Sequence, residues 1–294
     1  MIVKDRIHEK ADALTASERK VASVVLADYP FAGLETIQEL ADRTRVSAPS
    51  IMRFVNKIGC AGYQEFQRQL IGELKAGHRS PVELKLTEDM AQSGRFLADY
   101  AERTAQNAQD VGSSVSQAQF DAVCDLIADP QRNIFLLGGR VSDCLALMLS
   151  IHLKQIRGRI HHLPSNPELW PDYVLRMRKQ DVVVLFDFRR YQKSLADLAE
   201  MIHEARQSAI IVVTDKWLSP IAAHSSQILA VPIEIGTAWD TLVSTAVLIE
   251  AMIVRVSARD WDATRNRIQA WDALRLEPPD GMNERTDLEG KRKT

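Results

Sequence analysis

The stretch TIQELADRTRVSAPSIMRFVNKIG, from Thr36 to Gly59, decides how the N-terminal part of the chain is interpreted. It predicts two short helices joined by a tight turn, because Thr36 and Glu39 form a capping box for the first helix and Ser47 caps the second. Pro49 fits the first turn of the second helix, where a missing N–H is tolerated, and a glycine ends that helix. This arrangement is typical of a helix-turn-helix.

The second helix of this pair has one apolar face and one polar face. Its apolar residues recur at helical spacing, at Ile51, Phe54, Val55 and Ile58. The opposite face carries hydroxyl groups and cations, which predicts a recognition helix directed at the major groove of DNA. The predicted DNA-binding residues are Thr36, Arg45, Ser47, Ser50, Arg53 and Lys57.

The charge around this stretch is locally basic. Between Arg43 and Gln64 the sequence has four basic residues and no acidic one, although the whole chain has a formal charge of −2. Such a patch can neutralise DNA phosphates. The alternative is an ordinary helical hairpin with a solvated basic face, and the pattern by itself leaves both open.

Length and composition predict about two domains in a soluble protein, because the chain has 294 residues, of which 46% are hydrophobic and 26% are charged. We expect residues 1–76 to form an all-helical domain of five helices and residues 77–86 to form a linker. We expect residues 87–276 to form a second domain and the polar residues 277–294 to form a disordered tail.

In the second domain, five short and nearly continuous apolar runs alternate with helical stretches. This pattern predicts an α/β domain with a five-stranded, doubly wound parallel sheet covered on both faces. Its first helix is predicted from Thr87 to about Val111, and a later one from Trp239 to Arg259. Ligands of such sheets bind at the carboxyl ends of the strands.

The cysteines predict neither a disulfide framework nor a zinc site, because Cys60, Cys124 and Cys144 are odd in number and widely spaced. With no signal-peptide core at the N-terminus, we expect a cytoplasmic protein with reduced thiols. The longest apolar run, Val243 to Val254, is too short to span a bilayer. No metal and no cofactor are predicted.

The two halves of the chain, together about residues 1–257, resemble the two domains of a known family. The N-terminal half resembles the helical domain of RpiR-type bacterial transcriptional regulators through LTASERKVASVVL, the stretch quoted above and GYQEF. The C-terminal half resembles the SIS (sugar isomerase) domain through LLGGRVS, DVVVLF and IIVVTD followed by LSPIA. The resemblance implies a DNA-binding regulator whose second domain forms dimers and senses a metabolite, usually a phosphosugar.

Three departures from the family pattern bear on function. Arg45 stands where the family usually has glycine before the recognition helix, so a turn with positive φ would be strained by roughly 1 kcal/mol. The first SIS loop usually reads Gly-x-Gly-x-Ser, and here Arg140 replaces its second glycine. The second loop usually reads Ser-x-Ser-Gly-x-Thr, and here residues 187–192 read DFRRYQ.

These loops predict an altered anion site, for which two interpretations stay open. In the first, the arginines converge on a carboxylate or phosphate, and Asp187 orients an arginine or meets a hydroxyl or amine of the ligand. In the second, an internal pair between Asp187 and an arginine fills the site, or the residues serve subunit contacts. The predicted ligand-binding residues are Arg140, Ser142, Asp187, Arg189, Arg190 and Tyr191.

Other residues near the strand ends carry less information. His161 and His162 follow a strand and are more often surface or core residues than ligands. Asp240 is first a candidate helix cap and then a ligand contact. Asp215 ends a strand, where the chemistry of a turn accounts for it at least as well as a site does.

The sequence therefore predicts a transcriptional regulator controlled by a small anionic metabolite, such as a sugar phosphate or a carboxylate. We expect a homodimer or homotetramer on a palindromic DNA operator. One alternative is a sugar-phosphate isomerase, but no convincing general base and hence no catalytic residue emerges. Another is a DNA-binding dimer whose second domain no longer binds a ligand.

Overall fold

The computed structural model describes residues 2–27, 29–77, 81–85 and 94–275. The N-terminal domain has five α-helices, as predicted. They are α1 (Val3–Glu9), α2 (Ala16–Ala27), α3 (Ile37–Thr44), α4 (Ala48–Lys57) and α5 (Tyr63–Gly77).

The helix-turn-helix forms because its apolar residues share one core. Leu40 of α3, Ile51 and Phe54 of α4, and Phe66 and Leu70 of α5 are fully buried in one cluster. The capping box of α3 is present, since the Thr36 Oγ1 accepts from the Glu39 N–H at 3.2 Å. Burial of this cluster fixes α4 against α3 and leaves the other side of α4 exposed.

The rest of the described chain alternates helices and strands. The short helix α6 (Pro81–Lys85) lies within the predicted linker. The remaining helices are α7 (Phe96–Ser114), α8 (Gln117–Ala128), α9 (Asp143–Ile156), α10 (Trp170–Arg176), α11 (Lys193–Arg206), α12 (Val243–Ser257) and α13 (Trp261–Arg275). The strands are β1 (Ile134–Gly138), β2 (Ile160–His162), β3 (Val182–Phe186), β4 (Ala209–Thr214) and β5 (Gln227–Ala230).

The five strands form one parallel sheet in the order β2-β1-β3-β4-β5, which confirms the predicted fold class. The connections leave β1 towards one edge and β3 towards the other, so the order reverses between these two strands. Their last residues, Gly138 and Phe186, are register partners. The crevice that such a reversal creates therefore lies above Gly138 and Phe186.

Both faces of the sheet are covered, as buried strands require. Leu149 of α9 and Met252 of α12 pack on one face. Leu198 of α11 and Val174 of α10 pack on the other. Because α9 follows β1 and α11 follows β3, the N-termini of these two helices meet at the crevice.

Some predicted boundaries differ from the structure. Helix α12 begins at Val243 rather than at Trp239, with Leu242 as its N-terminal flanking residue, so the predicted capping role of Asp240 is wrong. An irregular segment containing Gly236 at φ +74° separates β5 from this helix. The first part of the helix predicted from Thr87 and the predicted tail at 277–294 lie outside the described residues. In the part of the chain that is described, α7 begins at Phe96.

No helix in these ranges is both long enough and apolar enough to cross a membrane.

Candidate functional site

The turn of the helix-turn-helix depends on a left-handed residue. Arg45 has φ 53° and ψ 42°, and its N–H lies against the carbonyls of the last turn of α3. The next N–H, that of Val46, donates to the Ala41 carbonyl at 3.2 Å, which closes the helix end. Arg45 thus keeps the turn that a glycine usually makes, at a cost of roughly 1 kcal/mol. Its side chain is exposed beside α4.

The exposed side of α4 forms one stripe. Pro49, Arg53 and Asn56 are exposed at successive turns, with Met52 partly exposed between them. Asn56 was missed by sequence reasoning, although it lies seven residues after Pro49 and so on the same face. Asparagine and arginine are the side chains that form paired hydrogen bonds with adenine and guanine, so this stripe has suitable chemistry for a DNA contact.

The hydroxyl groups at the start of α4 interact with each other. Ser47 precedes the helix but makes no capping bond, and its Oγ lies 3.0 Å from the Ser50 Oγ. Ser50 is buried, and it accepts from the Arg53 Nη2 at 2.8 Å. Ser50 therefore orients Arg53 from behind, whereas Thr36 is exposed and occupied in the capping box of α3.

Lys57 is held against the body of the domain. Its Nζ donates to the Glu18 Oε2 at 2.6 Å and to the Ala13 carbonyl at 3.1 Å. Burial works to raise the pKa of Glu18, but hydrogen bonds from Lys57 and Thr15 outweigh it and hold that pKa below its ordinary value. A contact between Lys57 and a DNA phosphate would require this ion pair to open.

A cavity of about 420 Å³ lies at the carboxyl ends of β1 and β3. Its walls come from the turn after β1, the loop after β3, the segment before α12 and the short helix α6. The lining residues are Pro81, Leu84, Gly139, Arg140, Val141, Ser142, Asp187, Phe188, Arg189, Arg190, Gln192, Ile233, Ala238, Trp239, Asp240 and Leu242.

Two of the predicted arginines offer free cations to this cavity. Arg140 and Arg190 both line it and are exposed. Within the described ranges neither guanidinium has an ion-pair partner. Arg190 has φ 67°, a left-handed conformation that directs the loop after β3. Trp239, at the rim, is 74% exposed and adds an aromatic surface to the cavity.

The third arginine, Arg189, is engaged elsewhere. Its guanidinium lies over the Trp217 ring at 4.1 Å, and its nitrogens are 2.9 Å from Glu234 Oε1 and 3.2 Å from Asp240 Oδ2. The carboxylates are within ion-pair distance but off the N–H directions, so no directed hydrogen bond reaches the side chain from the described residues. Two acidic partners neutralise Arg189, which suits a structural cation better than an anion ligand.

Asp187 pairs with no arginine in the described residues, so the internal Asp187–arginine pair of the second interpretation is absent there. The Ser219 hydroxyl donates to Asp187 Oδ2, and the Gln192 N–H donates to Oδ1 at 3.2 Å. Burial raises the pKa of Asp187 to about 7, partly offset by these hydrogen bonds, and nearby Asp215 raises it further. Burial likewise raises the pKa of Asp240 to about 6, although Arg189 opposes the rise.

Tyr191 turns away from the cavity. Its hydroxyl donates to Asp215 Oδ1 at 2.7 Å, and burial raises its pKa. Asp215 also accepts from the N–H groups of Arg189 at 2.6 Å and Trp217 at 3.0 Å. Asp215 therefore organises two loops through its turn chemistry, and neither residue offers the cavity a free group.

The turn after β1 is closed from within. The Ser142 Oγ accepts from the Gly139 N–H at 2.8 Å and donates to the Phe186 carbonyl at 2.7 Å. The side-chain oxygen of Gln192 accepts from the Arg140 N–H at 2.5 Å. Sequence reasoning named Ser142 but not Gln192, whose position directly before α11 was the available signal.

The histidines lie outside the cavity lining. His162 Nε2 is 3.0 Å from Asp143 Oδ1, and the His161 ring stacks on Phe135 at 4.9 Å. The cavity lining in the described chain includes neither histidine nor glutamate. Its acids are Asp187 and Asp240, each already held by a protein group.

Two family models match the chain. Residues 1–77 match the helix-turn-helix domain of the rpiR family, and residues 126–255 match the SIS domain. The HTH-type transcriptional regulator HexR of Escherichia coli (strain K12) is 23% identical over 243 residues, which are 80% of this chain and 78% of that protein.

Solved structures share the fold. The sugar isomerase domain of an RpiR transcription factor from Sphaerobacter thermophilus is 14% identical, with 61% of this chain and 99% of that one covered and a TM-score of 0.57. The Vibrio vulnificus NanR protein, solved in complex with ManNAc-6P, is 16% identical, with 92% and 97% covered and a TM-score of 0.52.

Proposed function

Because the chain belongs to the RpiR family, with a helix-turn-helix domain before a SIS domain, we propose that it controls transcription in response to a small anionic metabolite. The metabolite binds in the cavity above β1 and β3, and its binding changes the affinity of the helical domain for DNA. The observation that carries this proposal is the pairing of an exposed polar stripe on α4 with a cavity lined by two exposed guanidinium groups that have no ion-pair partner among the described residues.

The DNA contact centres on Arg53. Its guanidinium is exposed in the middle of the α4 stripe and braced by Ser50, so it is suited to the paired hydrogen bonds that guanine offers in the major groove. Arg45 supplies a phosphate contact from the preceding turn. One such helix reads few base pairs, so we expect a two-fold dimer on a palindromic operator.

The ligand contact centres on Arg140 and Arg190. Both can form forked, charge-assisted hydrogen bonds with a carboxylate or a phosphate. The NanR protein was solved with a sugar phosphate, which supports an acidic sugar derivative as the class of ligand. Trp239 offers its exposed ring to the remaining part of such a molecule.

Helix α6 offers a route between the two sites. Pro81 and Leu84 line the cavity, and only 8% of Leu84 is exposed. This helix lies in the sequence between the two domains, so a ligand in the cavity contacts the segment that leads to the DNA-binding domain. An effector acts on DNA binding only if it favours one arrangement of this segment over another.

The cavity does not favour an isomerase. Enolisation of a sugar phosphate needs a general base within reach of the substrate, most often histidine or glutamate. In the described lining, the acids are Asp187, which accepts from Ser219 and Gln192, and Asp240, which is paired with Arg189. We therefore propose a cytoplasmic regulator and not an enzyme.

The DNA half of the proposal is tested with the full chain. Binding sites are selected from a random duplex library, and affinities for the selected duplex are measured by fluorescence anisotropy. Arg53→Ala should weaken binding by about 1–3 kcal/mol and relax the preference at one base pair. Arg68→Ala, which removes an exposed arginine of α5, is the matched control. An unchanged affinity for Arg53→Ala would remove this residue from the interface.

The ligand half is tested by thermal shift against sugar phosphates, sugar acids, nucleotides and dicarboxylates. A ligand at 100 times its Kd should add about 2.7 kcal/mol to the stability of the folded state. Arg190→Ala should abolish the shift and the response of DNA binding to that ligand, while DNA binding itself persists. Arg176→Ala, which removes an exposed arginine at the end of α10 before β3, should keep both the thermal shift and the response of DNA binding. A normal response in Arg190→Ala would refute the arginine site.

A further inference from the structure

We infer that the side chain of Gln192 occupies the anion-binding position of the turn after β1, so a phosphate is excluded from the backbone N–H groups there. The acidic group of the ligand is then held by the side chains of Arg140 and Arg190 at the rim. The inference rests on the proposed function for the role of the cavity, whereas the occupation of the turn rests on contacts within the chain.

The first two amides of the turn are occupied by its own residues. The Gly138 N–H donates to Asp143 Oδ1 at 2.9 Å, and the Gly139 N–H donates to the Ser142 Oγ at 2.8 Å. Successive amides that lead into a helix make the concave site in which many proteins hold a phosphate. Here two of those donors are already satisfied.

Gln192 occupies the third amide from across the cavity. Its Oε1 accepts from the Arg140 N–H at 2.5 Å, and it reaches there from the position directly before α11, 52 residues away in sequence. The oxygen must be the atom facing this amide, because a side-chain NH₂ group cannot accept a hydrogen bond. A phosphate oxygen in this position would meet the Gln192 side chain.

Gly139 and Gln192 fit each other closely. A Cβ on Gly139 would overlap the Gln192 Oε1, so the glutamine can lie in the turn only because residue 139 has no side chain. The absence of a side chain would also let a phosphate approach the backbone, and in this chain the glutamine takes that space. Gln192 itself is half-buried, which places its amide inside the wall of the cavity.

The electrostatic attraction for an anion remains even though the turn is filled. The N-termini of α9 and α11 both point at this end of the cavity, and each carries a partial positive charge. The glutamine amide is neutral and leaves that field in place. The exposed guanidinium groups of Arg140 and Arg190 add two full charges. An acid is therefore drawn to the cavity but meets arginine side chains rather than backbone amides.

The test compares phosphate binding by the full chain and its variants. Inorganic phosphate is titrated by isothermal calorimetry at constant ionic strength into the wild type, Gln192→Ala and Gln192→Glu. We expect Gln192→Ala to bind phosphate about tenfold more tightly than the wild type, because a freed N–H gains a charged acceptor. Gln192→Glu keeps the side chain in the turn and adds a negative charge, so it should show no gain. Gln180→Ala, at an exposed glutamine, should match the wild type.

Two outcomes would overturn the inference. One is a Gln192→Ala protein that binds phosphate no better than the wild type, and the other is an equal gain in Gln192→Glu. Gln192→Ser provides a second variant that opens the turn and places a favoured N-cap residue before α11, in case the alanine variant is unstable.

DNA binding of the same proteins separates this inference from the proposed function. A gain in phosphate affinity, with DNA binding that responds to no anion in the panel, would support the role of Gln192 and reject the effector role of the cavity. No gain in phosphate affinity, with DNA binding that still responds to an acidic ligand, would reject the role of Gln192 and support the effector role of the cavity.

Discussion

Replacing Asp187 with asparagine should remove a pH-dependent loss of stability from the sheet domain. This carboxyl is 2% exposed, and its pKa rises from the ordinary value of 3.8 to about 7, chiefly through burial. A group whose pKa is higher in the folded state holds its proton more tightly there, so it favours folding at low pH. Its contribution is lost as the pH rises from about 4 through about 7.

The magnitude follows from the same shift. Each pH unit within that window lowers the free energy of unfolding by about 1.4 kcal/mol. Between about pH 5 and about pH 8 the wild type should therefore lose about 3 kcal/mol through Asp187, since the loss ends near the folded pKa. Asparagine keeps an acceptor for Ser219 and does not titrate, so the variant should lack this loss.

The assay uses the position of the tryptophans. All five, from Trp170 to Trp271, lie in the C-terminal part of the chain, so urea unfolding followed by tryptophan fluorescence reports on the sheet domain within the full protein. Asp197→Asn, at an exposed carboxylate of α11, is the control and should follow the wild type. Parallel pH profiles for the wild type and Asp187→Asn would refute the reasoning.

Three further predictions concern the helical domain. Arg45→Gly should stabilise this domain by about 0.5–1 kcal/mol, because glycine relieves the left-handed strain, and it should lower the slope of log affinity for DNA against log salt concentration by about 0.9 per bound chain. Arg45→Ala should lower this slope without the gain in stability. An unchanged slope would exclude a phosphate contact. Gly33→Ala should destabilise the domain by about 1–3 kcal/mol, because its Cβ would overlap Leu70. In Gly33→Ala, the helical unfolding transition followed by circular dichroism at 222 nm should move to a lower denaturant concentration, and the transition followed by tryptophan fluorescence should not move. Gly72→Ala, whose added Cβ meets open space, should leave both transitions unchanged. Glu18→Gln should destabilise the domain near neutral pH. Because folding lowers the pKa of Glu18, the difference in free energy of unfolding from the wild type should shrink as the pH falls below about 4.5. A difference that does not change with pH would contradict the ion pair.

The fold could be predicted because its signals are local. The capping box at Thr36 and the glycine after α4 are read from neighbouring residues, and both are present in the structure. The five strands are short apolar runs between helical stretches, a pattern that predicts a covered parallel sheet. The crevice between β1 and β3 then follows from the strand order, which places the two loops with unusual sequences side by side.

The partners of individual side chains could not be predicted, because they come from distant parts of the chain. Lys57 is engaged by Glu18, 39 residues earlier, and this lowers its availability for DNA. The guanidinium of Arg189 is taken by Trp217, Glu234 and Asp240, which belong to loops after two other strands. Periodicity determines which face of an element a residue occupies, but only packing determines which group it meets there.

Backbone conformation links the two candidate binding sites. Among the described residues, the polar side chains at positive φ outside glycine are those of Arg45, Arg159, Arg190 and Gln207. Arg159 donates to the Gln131 carbonyl at 2.8 Å, and Gln207 accepts from a lysine at 3.2 Å, so both have partners within the chain.

For Arg45 and Arg190, the described chain supplies no such side-chain partner. A left-handed residue with a side chain is disfavoured by about 1–2 kcal/mol, whereas a hydrogen bond to a charged group contributes about 1.5–3 kcal/mol. A charge-assisted hydrogen bond from the guanidinium can therefore offset the strain of an arginine in this conformation. Under the proposed function, an anion from outside the described chain offsets the strain at both positions, a DNA phosphate at Arg45 and the acidic group of the ligand at Arg190.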